Sequence, residues 1–162
     1  MTRVIFVFPI IREEDQPKHF PLGMGICAAV AERAGAKVAF YDMNAARSVL
    51  DKEEVFREVE DAAREGYDVV ATGGLTTTYN CVKRLGKLLR PILPDATFLL
   101  GGNLVTTLPN EIMSWLKEYD ICAIGDAWET VTDIVSLSVD REWDKVLGVG
   151  WRNEKGDLVL NG

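Results

Sequence analysis

The chain has 162 residues, 48% of them hydrophobic, enough apolar material to close the core of one ordinary domain and no room for a second. A formal net charge of −7 removes the broad basic footprint that nucleic acid requires. The N-terminal MTRVIFVFPIIREEDQPK is broken by Pro9 and then by charges, so neither a signal peptide nor a membrane span is expected, and a cytoplasmic protein is.

Residues 3–8 (RVIFVF) form a continuous apolar run rich in β-branched and aromatic side chains, which predicts a central strand covered on both faces. Pro21 and Gly23 open a helical stripe of Leu22, Ile26, Ala29, Val30 and Ala34 that Gly35 closes. Residues 37–41 (KVAFY) read as a second strand ending at Asp42. Asp51 then caps a helix striped by Val55, Phe56, Val59, Ala62 and Ala63. On that helix Glu53 with Arg57, and Glu60 with Arg64, stand at ion-pair spacing. Residues 67–71 (YDVVA) are the third strand, and the threonines after it are natural caps for a helix carrying Val82, Leu85, Leu88 and Leu89. A fourth strand at 97–100 precedes a helix through Ile112, Trp115 and Leu116, with Pro109 in its first turn and Trp115 as a core anchor. A fifth strand at 119–124 leads into a helix through Val131, Ile134 and Val135. Residues 146–151 and 158–160, joined by 153–156, predict a closing hairpin at the sheet edge or at the start of a following domain.

Strands alternating with helices predict an α/β domain: a flavodoxin-like, five-stranded parallel sheet of order 2-1-3-4-5 with helices on both faces, over residues 1–142. Residues 143–162 would hold the hairpin or the start of a link, with Trp143 and Trp151 facing a neighbour.

In such a sheet a ligand sits beyond the carboxyl ends of the strands, near the point where strand order reverses. The turns there span 9–23, 73–80, 101–107 and 125–129, and small or hydroxylic residues dominate three of the four. Gly73-Gly74 and Gly101-Gly102 let a flat group approach the main chain closely. Thr76, Thr77, Thr78 and Thr106 carry hydroxyls, and helix N-termini present N–H groups to a phosphate. Turn glycines and helix caps would explain any one of these loops alone, but three together less well. A dinucleotide fold lacks its G-x-G-x-x-G after the first strand. An FMN site would need a short Ser/Thr/Gly loop where Ile10 to Asp15 is bulky and acidic. A phospho-receiver would need acidic residues where Phe8-Pro9 and Thr72-Gly73 stand.

The ordered segments Phe20-Pro21-Leu22-Gly23, Tyr67-Asp68-Val69-Val70, Gly74-Leu75-Thr76-Thr77-Thr78-Tyr79-Asn80, Gly101-Gly102-Asn103 with Thr106 and Pro109, residues 120–125 and the hairpin form a set. In this set the chain resembles the N-terminal cobalamin-binding domain of B12-dependent radical S-adenosylmethionine (SAM) proteins, a group of methyltransferases, cyclases and related enzymes. The resemblance implies cobalamin bound with its dimethylbenzimidazole tail off the cobalt and threaded into the carboxyl-edge crevice. Gly73, Gly74, Leu75, Thr76 and Thr77 would line one wall of that crevice. Gly101, Gly102, Asn103 and Thr106 would surround the tail, Gly125 and Asp126 would lie on the far side, and the loop 9–23 would cover the lower face of the corrin. The chain departs from the family at Gly125-Asp126-Ala127-Trp128-Glu129, where a G-E-G-E-like run is common and an indole now stands.

Mutase-type modules carry D-x-H-x-x-G, whose histidine ligates cobalt; Asp15, His19 and Gly23 share a loop at the wrong spacing, and radical SAM relatives commonly lack the motif. His19 reads first as a solvated or loop-packing imidazole and second as a lower-face cobalt ligand. Asp42 reads as a cap or surface carboxylate. Cys27, Cys81 and Cys122 lack the C-x-x-x-C-x-x-C spacing of a [4Fe-4S] site and read as small apolar residues. The resemblance therefore assigns SAM and the cluster to a radical SAM domain in cis or trans and makes this chain a truncated or stand-alone module. A nucleotide or small-molecule regulatory module on the same scaffold remains the alternative. A lone hydrolase or transferase is disfavoured, because no Ser or Cys nucleophile stands beside the histidine.

Overall fold

The central strand β1 (Arg3–Phe8) pairs in parallel with β2 (Lys37–Asp42) on one side and β3 (Val69–Gly73) on the other, as its unbroken apolar run requires. The computed structural model describes residues 1–14 and 19–162. Beyond β3 the sheet continues through β4 (Thr97–Gly101), β5 (Ile121–Ala123), β6 (Val149–Arg152) and β7 (Leu158–Asn161), in the order β2-β1-β3-β4-β5-β6-β7. The expected order 2-1-3-4-5 holds, and the hairpin adds two antiparallel strands to the same sheet by pairing β6 with β5.

The helices are α1 (Leu22–Arg33), α2 (Met43–Ala46), α3 (Lys52–Ala63), α4 (Tyr79–Leu89), α5 (Asn103–Thr106), α6 (Pro109–Trp115) and α7 (Trp128–Leu137). Two of them are short additions to the expected pattern. Asp42 accepts from the N–H groups of Asn44 and Ala45 and so starts α2, in keeping with a capping role. Pro109 separates α5 from α6, because the residue before a proline is pushed out of helical geometry. Asp51 and Glu54 form a reciprocal capping box on α3.

Some sequence expectations fail for local reasons. Thr76–Thr78 form a 3-10 turn, and the Thr78 hydroxyl donates to the Leu75 carbonyl rather than capping α4. Glu60 pairs with Arg64, but Glu53 reaches across to Arg84 on α4 instead of along its own helix to Arg57. Trp115 is 57% exposed, with its ring edge-on to Tyr79, whereas Trp143 is 5% exposed. The turn after α7 folds Trp143 back into the core. Trp151 is half-buried, its indole N–H donating to Asn161 across the hairpin.

The two faces of the sheet bury separate cores. On one, Ile5, Val7, Val70, Phe98, Leu100 and Cys122 pack under α3, α4 and α6, with Val55, Phe56, Val82, Leu85 and Met113 among the helical contributions. On the other, Val4, Phe6, Val69, Ala71, Leu99, Ile121 and Ala123 meet α1 and α7 through Ala28, Ala31, Val131, Ile134 and Val135. Each large side chain buried in this way contributes about 1.5–3 kcal/mol.

Candidate functional site

Side chains alternate between faces along a strand, so every second residue shares a neighbour's environment. Towards α1 and α7, β3 presents Val69, Ala71 and Gly73; β4 presents Leu99 and Gly101; β5 presents Ile121 and Ala123, with Gly125 just beyond. Each series shrinks towards the carboxyl edge. β1 runs the other way, from Val4 to Phe6 and Phe8. The result is a wedge-shaped cavity of about 360 Å³ between α1, α7 and the carboxyl end of the sheet. Phe6 and Phe8 belong to one wall, Met24 and Cys27 come from α1, and Trp128 and Val131 come from α7.

Eight of the residues singled out by the sequence meet here. Gly73, Gly74, Gly101 and Gly102 line the cavity from β3 and β4, and Asn103, Thr106, Gly125 and Asp126 line it from the next two turns. Leu75, Thr76 and Thr77 do not; they sit exposed on the 3-10 turn. Phe6, Ala71, Leu99, Ala123, Met24, Cys27 and Val131 escaped the motif reading. The signal for the strand residues was nonetheless present, in the spacing V-x-A-x-G, L-x-G and I-x-A-x-G. The indole that departs from the family pattern, Trp128, is part of the cavity wall.

The four glycines at and just beyond the ends of β3 and β4 have different jobs. A Cβ on Gly73 would stand 2.2 Å from the Gly101 carbonyl oxygen, and one on Gly74 would stand 2.8 Å from Thr78 Oγ1. Gly102 has φ +81°, and its Cβ would meet the Gly74 backbone at 2.8 Å. These three let two turns close on each other, stitched by the Gly74 N–H to Gly101 and the Leu104 N–H to the Gly74 carbonyl. Gly101 differs: its Cβ would find nothing nearer than the Thr72 oxygen at 4.0 Å. It is the position where absence of a side chain leaves room in the cavity.

The loop after β1 is held on the opposite face. Ile10 is buried in the α3/α4 core. Buried Asn44 accepts from the Ile11 N–H at 3.0 Å and donates to the Pro9 carbonyl at 2.8 Å. Arg47 donates to the carbonyls of Arg12 and Glu13, and Lys52 pairs with Glu13, whose carboxyl that ammonium holds below its ordinary range. His19 is exposed and is not part of the cavity wall. Asp15, the acidic member of the imperfect D-x-H-x-x-G, lies outside the described residues.

Burial pushes the Cys27 thiol up, and Cys81 and Cys122 up to about 11, so all three are neutral near pH 7. Among the described residues no three His, Cys, Asp or Glu side chains converge as a metal site, and no helix is long and apolar enough to cross a membrane.

Residues 10–135 match the family model of the B12-binding domain. The chain belongs to this family. The matched span contains the cavity-lining residues from Gly23 to Val131, while Phe6 and Phe8 precede it. This B12-binding domain is similar to part of the radical SAM methyltransferase TsrM from Kitasatospora setae, at 16% identity and a TM-score of 0.80, over 99% of this chain and 30% of that one. It is also similar to part of OxsB, a cobalamin-dependent SAM radical enzyme solved with aqua-cobalamin and SAM, at 14% identity and a TM-score of 0.76, over 99% of this chain and 22% of that one. The domain thus spans less than a third of the length of these relatives, and at such identities the likeness is one of fold. A search of curated protein sequences gives no match.

The cavity suits the nucleotide tail of cobalamin. It is concave, walled by aromatic and aliphatic groups, and hollow at Gly101 where a Cβ would intrude.

Proposed function

We propose that the chain binds cobalamin in the base-off form, with the dimethylbenzimidazole tail in the cavity between α1, α7 and the sheet, as the cofactor module of a B12-dependent radical SAM enzyme of methyltransferase or cyclase type. The observation that carries this reading is the taper of β3 and β4 to glycine and of β5 to alanine on one face, which makes a slot where a filled core would otherwise be. Cobalamin supplies a cobalt centre able to take up and hand on a methyl group or an electron.

The chain's own part is to bind and orient. Phe6, Phe8, Met24, Trp128 and Val131 exclude water from the slot. Gly73 and Gly74 form one wall, and Gly101, Gly102, Asn103 and Thr106 surround the tail, with Gly125 and Asp126 opposite. Leu75, Thr76 and Thr77, exposed beyond β3, are placed to meet the corrin periphery rather than the tail. With His19 exposed and outside the cavity wall, the proposal gives it no ligand role. SAM and the [4Fe-4S] cluster belong to a separate radical SAM domain in cis or trans; the neutral, dispersed Cys27, Cys81 and Cys122 are not its ligands.

Anaerobic titration with hydroxocobalamin, followed by visible absorption, tests the reading. Saturable binding with the spectrum of a cobalt that has lost its benzimidazole ligand, unchanged in His19→Ala, is expected. Binding with the benzimidazole still on cobalt would refute tail insertion, and loss of binding in His19→Ala would restore the histidine ligand.

A further inference from the structure

Helix α1 is apolar on every side. Of its 12 residues only Glu32 and Arg33, in the last turn, are charged. Its inner side carries buried Ala28 and Ala31 with half-buried Met24 and Cys27. Most of the stripe expected to face the core stays outside it: Leu22 is 68% and Ile26 37% exposed, Ala29 is exposed and Val30 is half-buried, and only Ala34 packs against the core. On α3 the outward side carries Glu53, Arg57, Glu58 and Asp61, an ordinary solvated face. A helix apolar all round is ordinarily covered all round. Ile26, Val30 and Ala34 of α1 line an outer groove of about 440 Å³ with Trp128 and Thr132 of α7. Both helices run down from the carboxyl edge, because each follows a strand of the parallel set. Arg33, in the last turn of α1, therefore marks the lower end of the groove, and Glu129, in the first turn of α7, the upper end. Among the described residues neither side chain makes an ion pair or a hydrogen bond.

We propose that this outer groove is a dimer interface, covered by the same face of a second copy of the chain. A two-fold axis perpendicular to the groove sets the two copies of α1 antiparallel and brings the lower end of one groove against the upper end of the other. Arg33 of one protomer then meets Glu129 of its partner, and the reciprocal pair forms at the other end. Ile26 and Val30 lie between the two pairs, an apolar centre with a charged rim. The charges select this occupant: a cation at one end and an anion at the other become complementary to themselves only on reversal, which is the operation a two-fold supplies. The inference stands apart from the cobalamin reading, since it uses the outer side of α1 and not the side that faces the cavity.

Sedimentation equilibrium of the full chain over a concentration series tests the proposal, with circular dichroism to establish that each variant is folded. The unaltered chain is expected to dimerise. Ile26→Glu, which puts a carboxylate at the centre of the face, should raise the dimer dissociation constant by about a hundredfold. Arg33→Glu alone and Glu129→Arg alone set like charges against each other and should each weaken the dimer by about tenfold, while the two together should restore it. A chain that stays monomeric at about 1 mM overturns the proposal and leaves the face to a partner of another kind. A dimer indifferent to Ile26→Glu, or one that the double charge reversal does not restore, overturns it by placing the contact elsewhere.

Discussion

The two faces of one sheet end differently at the carboxyl edge. Under α3, α4 and α6 the core is filled to that edge: Val7 and Leu100 are covered, and Ile10, Met43, Leu104 and Val105 plug the turns. Under α1 and α7 the side chains dwindle from valine, leucine and isoleucine to alanine and glycine, and a cavity opens. Side-chain parity along the same strands thus separates a face filled to its edge from one that ends in a hollow. The filled face is closed to its edge, and the hollow face keeps the space in which the proposed cofactor tail would sit.

Substitutions on adjacent β4 residues probe that separation most strongly. Phe98 is 0% exposed on the filled face, and Phe98→Ala should cost about 3–5 kcal/mol in denaturant unfolding. Leu99 borders existing space on the hollow face, so Leu99→Ala should cost about 2 kcal/mol, the low end for such a change. Equal costs would mean that the two faces are packed alike.

Next in size is a pH effect at a thiol of the filled face. Burial raises the Cys122 thiol from its ordinary 9.0 to about 11, so the native state holds its proton more tightly than the unfolded chain. The associated stability is fully present below pH 9 and is lost as pH rises through 11, an amount on the order of 2–3 kcal/mol. Unfolding measured from pH 8 to 11.5 should show a shallower fall in Cys122→Ala than in the unaltered chain. Parallel curves would mean that the thiol is not sealed.

A smaller effect is expected at the clamp that ties the loop after β1 to the filled side. Asn44→Ala leaves the Ile11 N–H and the Pro9 carbonyl without their partner and should cost about 1–2 kcal/mol. Hydrogen exchange at the Ile11 amide should quicken in that variant. If exchange there is unchanged, the loop is held by the Ile10 and Glu13 contacts instead.

The sheet order was legible because apolar runs, cap residues and turn glycines alternate cleanly along the chain. The turns that meet at the carboxyl edge were legible for the same reason. The division of labour among the glycines was not. Gly73, Gly101 and Gly102 look alike in a sequence, and only the distance from a would-be Cβ to the neighbouring turn separates those that let backbones touch from the one that leaves room. Met24, Cys27 and Val131 were hidden because a helical stripe shows which side of a helix is apolar but not which part of the sheet it covers. The two tryptophans read in reverse, Trp115 and Trp143, depend on where a short helix and a 3-10 turn end, and neither is written in periodicity.

The central claim, that the hollow at Gly101 is a ligand slot and not loose packing, is tested most directly by measuring thermal stability and cobalamin affinity together in Gly101→Leu. The account predicts a melting temperature unchanged or slightly raised, because the new side chain enters open space, with cobalamin affinity reduced at least about a hundredfold. Retained affinity in a folded Gly101→Leu variant would contradict it.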